Sequence, residues 1–326
     1  MDISPGNVKT ASKDVYHLIL LIALVLALLF AFSMFTRCGA LPIPGWCDVY
    51  WGVIRGDNGG NPRVLIVYGD GGLGDHKLLA SIIESPEHVG KRVATRYIEE
   101  VSLGNLKNYD LVIVEEARRM GTDKMKMFID YANSGGKKLV WIGDAGTELY
   151  ENDSAVTWSE YPNSDRNGDE AISPWIRKQG ENIISLEEIL GVRFISNYCD
   201  VKSCNKDELP WIGTFSAEDR KHRLINGIRA DLQMYGNFSI VKISETGSTT
   251  KVLDVDFVSD LIANDRKTNL GRIFPVIVTS NFGENVAYYA IPPETLASDL
   301  MPKNSEGIVM KYYSIAEKLY YGMLYY

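Results

Sequence analysis

Residues 64–83 read VLIVYGDGGLGDHKLLASII. The opening run, VLIVY, has the continuous apolar composition of a strand buried on both faces of a parallel sheet. Gly69, Gly71 and Gly74 follow in the spacing G-x-G-x-x-G, and the next residues predict a helix from about Asp75 to Glu84. Strand, glycine turn and helix make the first unit of an α/β fold. The same spacing is a dinucleotide fingerprint, in which glycines let the backbone approach a pyrophosphate at a helix N-terminus. Two features oppose that second reading. Asp70 and Asp75 put carboxylates where phosphates would lie, and the turn itself holds no Lys or Arg. The acids available for a ribose, Glu99 and Glu100, stand too far along the chain. No Gly-Lys-Ser/Thr sequence of a P-loop occurs. Gly69, Gly71 and Gly74 are therefore read as a tight β-to-α turn, and no resident cofactor is expected.

The βα pattern continues downstream. RVATRYIEEV and YDLVIVEEA predict two more strands. TDKMKMFIDYANSGG predicts a helix that starts at Thr122, turns Met125, Phe128, Ile129 and Ala132 to one face, and stops at Gly135 or Gly136. KKLVWIGDAG is a fourth strand ending in a glycine turn. Strands alternating with helices imply a doubly wound, mostly parallel sheet of the flavodoxin-like type, with functional groups at the carboxyl ends of the strands. From Tyr150 to Ile183 the periodicity fades into a polar excursion over that edge. Later strands are FSIVKIS, KVLDVDFV, FPVIVTS and NVAYYAI, and a last helix is expected from Glu306 to about Tyr325.

The chain has 326 residues, 45% hydrophobic and 23% charged, with formal net charge -8. An acidic chain without a basic block is a poor ligand for phosphate backbones, so no nucleic-acid partner is expected. VYHLILLIALVLALLFAFSMF, Val15 to Phe35, carries no Asp, Glu, Lys or Arg. About 20 apolar residues cross a hydrocarbon core of ~30 Å. The stretch is too long for the apolar part of a cleaved signal and has no small-residue cleavage site. A single uncleaved membrane helix over 15–36 is expected. A short cytoplasmic tail (1–14) precedes it, and a Gly/Pro-rich juxtamembrane linker (37–62) and the α/β domain (63–326) follow. Lys9 and Lys13 before the span against Arg37 after it favour an external body, by the bias of basic residues to the cytoplasmic side. The four cysteines fall in two close pairs, Cys38/Cys47 and Cys199/Cys204, which suits two local disulfides in an oxidising space. Four-cysteine metal binding is the alternative, although neither pair is C-x-x-C. Sequons at Asn152 and Asn237 are compatible with glycosylation outside the cell.

Three stretches taken in order carry a family resemblance. They are YDLVIVEEA with FIDYANSGGKKLVWIGDAG; KHRLINGI, containing His222, Leu224, Gly227 and Ile228; and FPVIVTSNFGENVAYYAIPPE. Together they resemble the class I glutamine amidotransferase-like superfamily, above all its trehalose-utilisation-type members, over roughly residues 62–325. The resemblance implies a cysteine nucleophile on a strained turn after the fourth strand, much like the elbow of other hydrolases. Here that turn reads WIGDAGTEL, and the matching position is Asp144 or Ala145. Neither can form a thiolate, and the family's His-x-Glu pair is not evident near the C-terminus. The resemblance therefore implies a scaffold without its nucleophile, suited to binding a partner protein or glycan or to serving in an envelope assembly.

The carboxylates at the strand ends offer other chemistry. Glu115, Glu116 and Asp144, with Asp70, Asp75 and His76 nearby, can be read as oxygen ligands for a divalent cation. One of them can also be read as a general acid with a raised pKa. Solvated carboxylates capping helix N-termini are the plainer alternative. An atypical hydrolase would use Asp144, Glu116 and His222 on sugar or amide substrates. NSDRNGDE (163–170) alternates oxygen ligands as a calcium loop does, but Pro174 stands where the closing Glu belongs.

Overall fold

The computed structural model describes residues 17–28, 63–157, 173–205, 209–229, 232–244, 249–263, 268–280 and 284–325. It divides into two units, Met1–Asn61 with Tyr325–Tyr326, and Pro62–Leu324. In the first, residues 17–28 are helical and exposed. Among the described residues no helix is long and apolar enough to cross a membrane. The rest of the apolar stretch 15–36 lies outside the described residues, as do Cys38, Cys47, the linker 37–62 and the 163–170 loop.

The second unit is an α/β domain. Its strands are β1 (Val64–Tyr68), β2 (Val93–Tyr97), β3 (Leu111–Val114), β4 (Lys138–Ile142), β5 (Val156–Thr157), β6 (Ile176–Gln179), β7 (Asn182–Ser185), β8 (Val192–Asn197), β9 (Trp211–Ser216), β10 (Gln233–Tyr235), β11 (Ser239–Ile243), β12 (Thr249–Ala263), β13 (Thr268–Ser280) and β14 (Val286–Tyr289). The helices are α1 (His76–Glu84), α2 (Leu103–Leu106), α3 (Thr122–Ala132), α4 (Glu187–Leu190), α5 (Tyr198–Val201) and α6 (Ser314–Leu324), with a 3-10 turn at Pro293–Ala297.

Nine strands form one sheet in the order β10-β9-β12-β13-β14-β4-β3-β1-β2. From β2 to β14 the neighbours are parallel. Every residue of β3 and β14 is buried, as expected of strands covered on both faces. From β14 to β10 the neighbours are antiparallel. The expected parallel, doubly wound layout thus accounts for one half of a mixed sheet. The antiparallel half is built by β12 and β13, which pair as one long hairpin. A hairpin needs only a short turn, so no crossover helix marks these strands in the sequence.

The chain runs from β1 outward to β2, then back past β1 to β3 and β4. Right-handed crossovers in opposite directions put α1 and α3 on opposite faces. The strand order therefore reverses between β1 and β3, and a crevice for function is expected at their carboxyl ends. The glycine loop follows β1 there, Glu115 and Glu116 follow β3, and Asp144 follows β4.

Among the described residues of the excursion and just after it, β5, β6 and β7 form a small sheet, and Trp175 is buried in the core. One local expectation changes. The last helix starts at Ser314, well after Glu306. Upstream, Asn304 Oδ1 accepts the N–H groups of Glu306 (3.0 Å) and Ile308 (2.9 Å). A short polar side chain that satisfies nearby backbone offers a turn in place of a helix.

Candidate functional site

Five backbone N–H groups of the glycine loop and the start of α1 that could face a phosphate already have acceptors. Leu73 N–H donates to Asp144 Oδ1 at 2.7 Å. Asp75 N–H donates to Glu294 Oε1 at 2.8 Å. His76 N–H reaches Glu116 Oε2 at 3.4 Å. Lys77 and Leu78 N–H donate to Asp75 Oδ1 at 3.1 and 3.0 Å. Four carboxylates from four segments thus share one anion-attracting surface, which is how they approach one another without prohibitive repulsion. The glycines serve this gathering. A Cβ on Gly72 would sit 2.9 Å from Asp144 Oδ1, and one on Gly74 2.9 Å from Glu115 Oε2; both residues have positive φ, +105° and +124°. The loop is tight because carboxylates lie against it.

The elbow after β4 is sealed. Asp144 is 0% exposed. Besides Leu73 N–H, its carboxylate accepts from Arg118 Nε (2.6 Å) and Asn197 Nδ2 (2.8 Å). The Asp144 carboxylate helps hold the Arg118 guanidinium above its ordinary pKa, although burial pulls the other way. Ala145, the other position matched by the resemblance, is buried, and its carbonyl accepts from the indole N–H of both Trp141 and Trp175 at 2.9 Å. The Gly146 carbonyl accepts from Arg177 Nη2 at 2.8 Å. Arg177, itself buried, also donates to Met120 O at 2.7 Å, so the excursion is pinned onto the elbow. Burial lowers the Arg177 pKa to about 10. Three donors occupy most of the acceptor sites of this fully buried Asp144 carboxylate.

Glu115 differs from its neighbours. It is 0% exposed, and neither of its oxygens has a hydrogen-bond donor in place. Burial first, then the charges of Glu294, Glu116 and Asp75, push its carboxyl well above the ordinary range. Glu294, 1% exposed, is pushed up to about 7, with burial again the largest cause. Glu294 Oε2 also lacks a partner. A proton on either acid supplies the one hydrogen bond the pair can form.

Glu116 is the accessible member, with its side chain 32% exposed. Its backbone is left-handed, φ 48°, which is uncommon for a non-glycine residue and gathers at functional sites. Its Oε2 lies 2.6 Å from His76 Nδ1. The imidazole stacks on Tyr68 with ring centroids 3.7 Å apart. Asp70, at the rim, accepts from Tyr97 OH at 2.8 Å, and that bond is the main reason the Tyr97 phenol is raised.

His222 belongs to another cluster. Its Nε2 is 3.7 Å from Glu284 Oε1, and its Nδ1 accepts from Leu224 N–H at 3.3 Å. Burial lowers the imidazole pKa, with Glu284 opposing. The structure therefore brings Glu116 together with His76, while the hydrogen bonds and ion pairs of His222 run to residues other than Asp144 or Glu116. Among the described residues no group of three His, Cys, Asp or Glu has the arrangement to hold a metal ion. Glu116 and Asp144 are turned to the other contacts given above, and Glu115 is buried without a donor.

Cys199 and Cys204 form a disulfide, with Cα atoms 5.3 Å apart. It closes the loop around α5, directly after Asn197. Asn152 is exposed, whereas Asn237 is half-buried and accepts from Cys199 N–H through Oδ1 at 2.9 Å. Arg118, Asn197, Arg177 and Glu294 escaped the sequence reading. Only Arg118, beside Glu115 and Glu116 at a strand end, stood where function was expected.

No family model and no curated protein matches this sequence. Solved structures similar to it include a ThuA-like protein from Bacteroides uniformis (13% identity, TM-score 0.41, covering 70% of this chain and 81% of that one). PurLQS from Thermotoga maritima is similar at 14% identity and TM-score 0.41, over 81% of this chain and 98% of that one. A glutamine amidotransferase is similar at 12% identity and TM-score 0.33, over 70% of this chain and 90% of that one. No residue role or activity is carried over from them.

Proposed function

We propose that this chain is a membrane-tethered, externally facing binding or assembly module on an amidotransferase-like scaffold, and that its elbow performs no acyl transfer. The Asp144 carboxylate carries the case for an inert elbow: it is 0% exposed and held by three donors where a nucleophile would have to be free. An attacking group must reach a substrate atom at ~3 Å, and neither Asp144 nor Ala145, both buried, can do so. The apolar stretch from Val15 to Phe35 supports the tether, and the disulfide at Cys199–Cys204 accords with an oxidising location. The first test combines two measurements on the full chain. Glutamine and aryl-ester turnover should be absent, with no acyl adduct by intact mass. Residues of the α/β domain should be accessible to protease from outside sealed cells. Turnover abolished by Asp144→Ala, or protection from external protease, would sink the reading.

A second reading, hydrolysis by carboxylates, is favoured by one observation: the half-buried, left-handed Glu116 set 2.6 Å from His76. It would use His76 as the histidine. Glycoside or amide turnover lost in Glu116→Gln at unchanged stability would establish it.

A further inference from the structure

The glycine loop is tied to the C-terminal part of the domain at one point. The Asp75 N–H, at the cap of α1, donates to Glu294 in the 3-10 turn Pro293–Ala297. Behind that contact stands Glu115, fully buried, with two oxygens that meet no donor. An ionised carboxylate so placed would face three further acids, Glu294, Glu116 and Asp75, and among the described residues no hydrogen bond joins it to a cation. A buried charge of that kind is far more costly than a neutral carboxyl.

We propose that Glu115 and Glu294 form a proton-held latch: a proton shared between them keeps the Pro293–Ala297 turn against the glycine loop, and its loss frees the loop at the carboxyl edge of the sheet. The groups facing the pair are acids. Asp75 and Glu116 both add negative potential at Glu115, and Asp75 does so at Glu294. His76 is engaged with Glu116. From α6, which packs on the same turn, Glu317 is paired with His88 at 2.9 Å, and Lys318 Nζ lies beside Gly227. From β10, Tyr235 donates to Gln233. None of these contacts places a cation on the two carboxyls.

The sign follows from linkage. Both acids hold protons more firmly when the loop is closed than when it is open to water. Closure is therefore strongest at low pH and weakens as pH rises, first through the titration of Glu294 near 7 and further when the second proton leaves. Opening coupled to release of one proton becomes up to about tenfold more favourable per pH unit within the titration window. The edge that moves is the one where the sheet topology places a binding crevice. The latch does not depend on whether the elbow is inert.

The test is amide hydrogen exchange on the full chain in detergent, from pH 5 to 9, corrected for intrinsic exchange. Protection over residues 69–78 should fall by at least tenfold across the range, while β4 stays level. The double variant Glu115→Gln/Glu294→Gln, which keeps the shape and removes both titrations, should flatten the profile. A flat profile in the unmodified chain, or the same slope in the double variant, overturns the latch. Should that variant fail to fold, infrared difference spectra of the unmodified chain decide: a protonated-carboxyl band must persist at pH 7 and disappear on further titration. Its absence at pH 7 overturns the latch equally.

Discussion

Asp144→Asn replaces one oxygen by an NH2 group and changes almost nothing in volume, yet it should destabilise the domain severely. Oδ1 of Asp144 serves Leu73 N–H, and Oδ2 serves both Arg118 Nε and Asn197 Nδ2. An amide oxygen can replace only one of these. If it keeps Leu73, the new NH2 points at two donors. If it flips, Leu73 N–H is left facing an NH2. Breaking a buried ion pair costs roughly 3–5 kcal/mol, and each stranded donor about 1–3 kcal/mol. Arg118 is 31% exposed on its side chain and can turn to water or to Glu148, 3.6 Å away, so the lower part of that range applies. We expect a loss of about 3–4 kcal/mol, or roughly 10 °C in Tm for a domain of this size. Asp144→Ala should cost about as much. It leaves a small polar hole, so millimolar formate should restore part of its Tm by binding only the folded state. Thermal and urea unfolding at pH 7 provide the measurement. An Asn variant within ~1 kcal/mol of the parent would mean that the carboxylate is not a structural acceptor, and the case for an inert elbow would fail.

Glu294→Gln keeps the acceptor for Asp75 N–H but removes a titrating group. In the parent the folded pKa, about 7, lies above the ordinary 4.5, so the native state binds more protons and stability falls as pH rises between those values. That slope, worth roughly 3 kcal/mol, should be missing from urea titrations of the variant at pH 5, 6 and 7. Gly74→Ala forces a Cβ to within 2.9 Å of Glu115 Oε2 at φ +124° and should cost about 2 kcal/mol or more by the same assay. Reducing Cys199–Cys204, five residues apart, should cost about 2 kcal/mol by the loop-entropy relation, checked by Tm with and without a dithiol. Arg177→Met strands the carbonyls of Met120 and Gly146; it should lose about 2–4 kcal/mol, and limited proteolysis should cut residues 150–183 sooner.

The parallel half of the fold was legible because its signals are local. VLIVY, LVIV and KLVWI are runs that only a doubly covered strand buries, and Thr122 to Ala132 has its apolar face at helical spacing. Of the antiparallel half, β12, β13 and β14 were seen as strands but β9 and β10 were not, and the sheet itself was not seen because its order is set by long-range pairing. The site was half legible. Glu115, Glu116 and Asp144 stood at strand ends as expected, yet their partners came from distant segments: Asn197 lies 53 residues from Asp144, and Glu294 lies 219 from Asp75. No spacing rule connects such positions. The question raised by Gly69, Gly71 and Gly74 has a physical answer in Gly72 and Gly74, whose missing side chains leave room for carboxylates.

The central claim is that the N–H groups of Leu73, Asp75 and His76 are satisfied from within. Its most direct measurement is an amide NMR titration of Leu73, Asp75 and His76 with NAD and with inorganic pyrophosphate. The account predicts no saturable shift at these amides up to millimolar ligand. A saturable shift confined to them would mean that the loop holds phosphates after all.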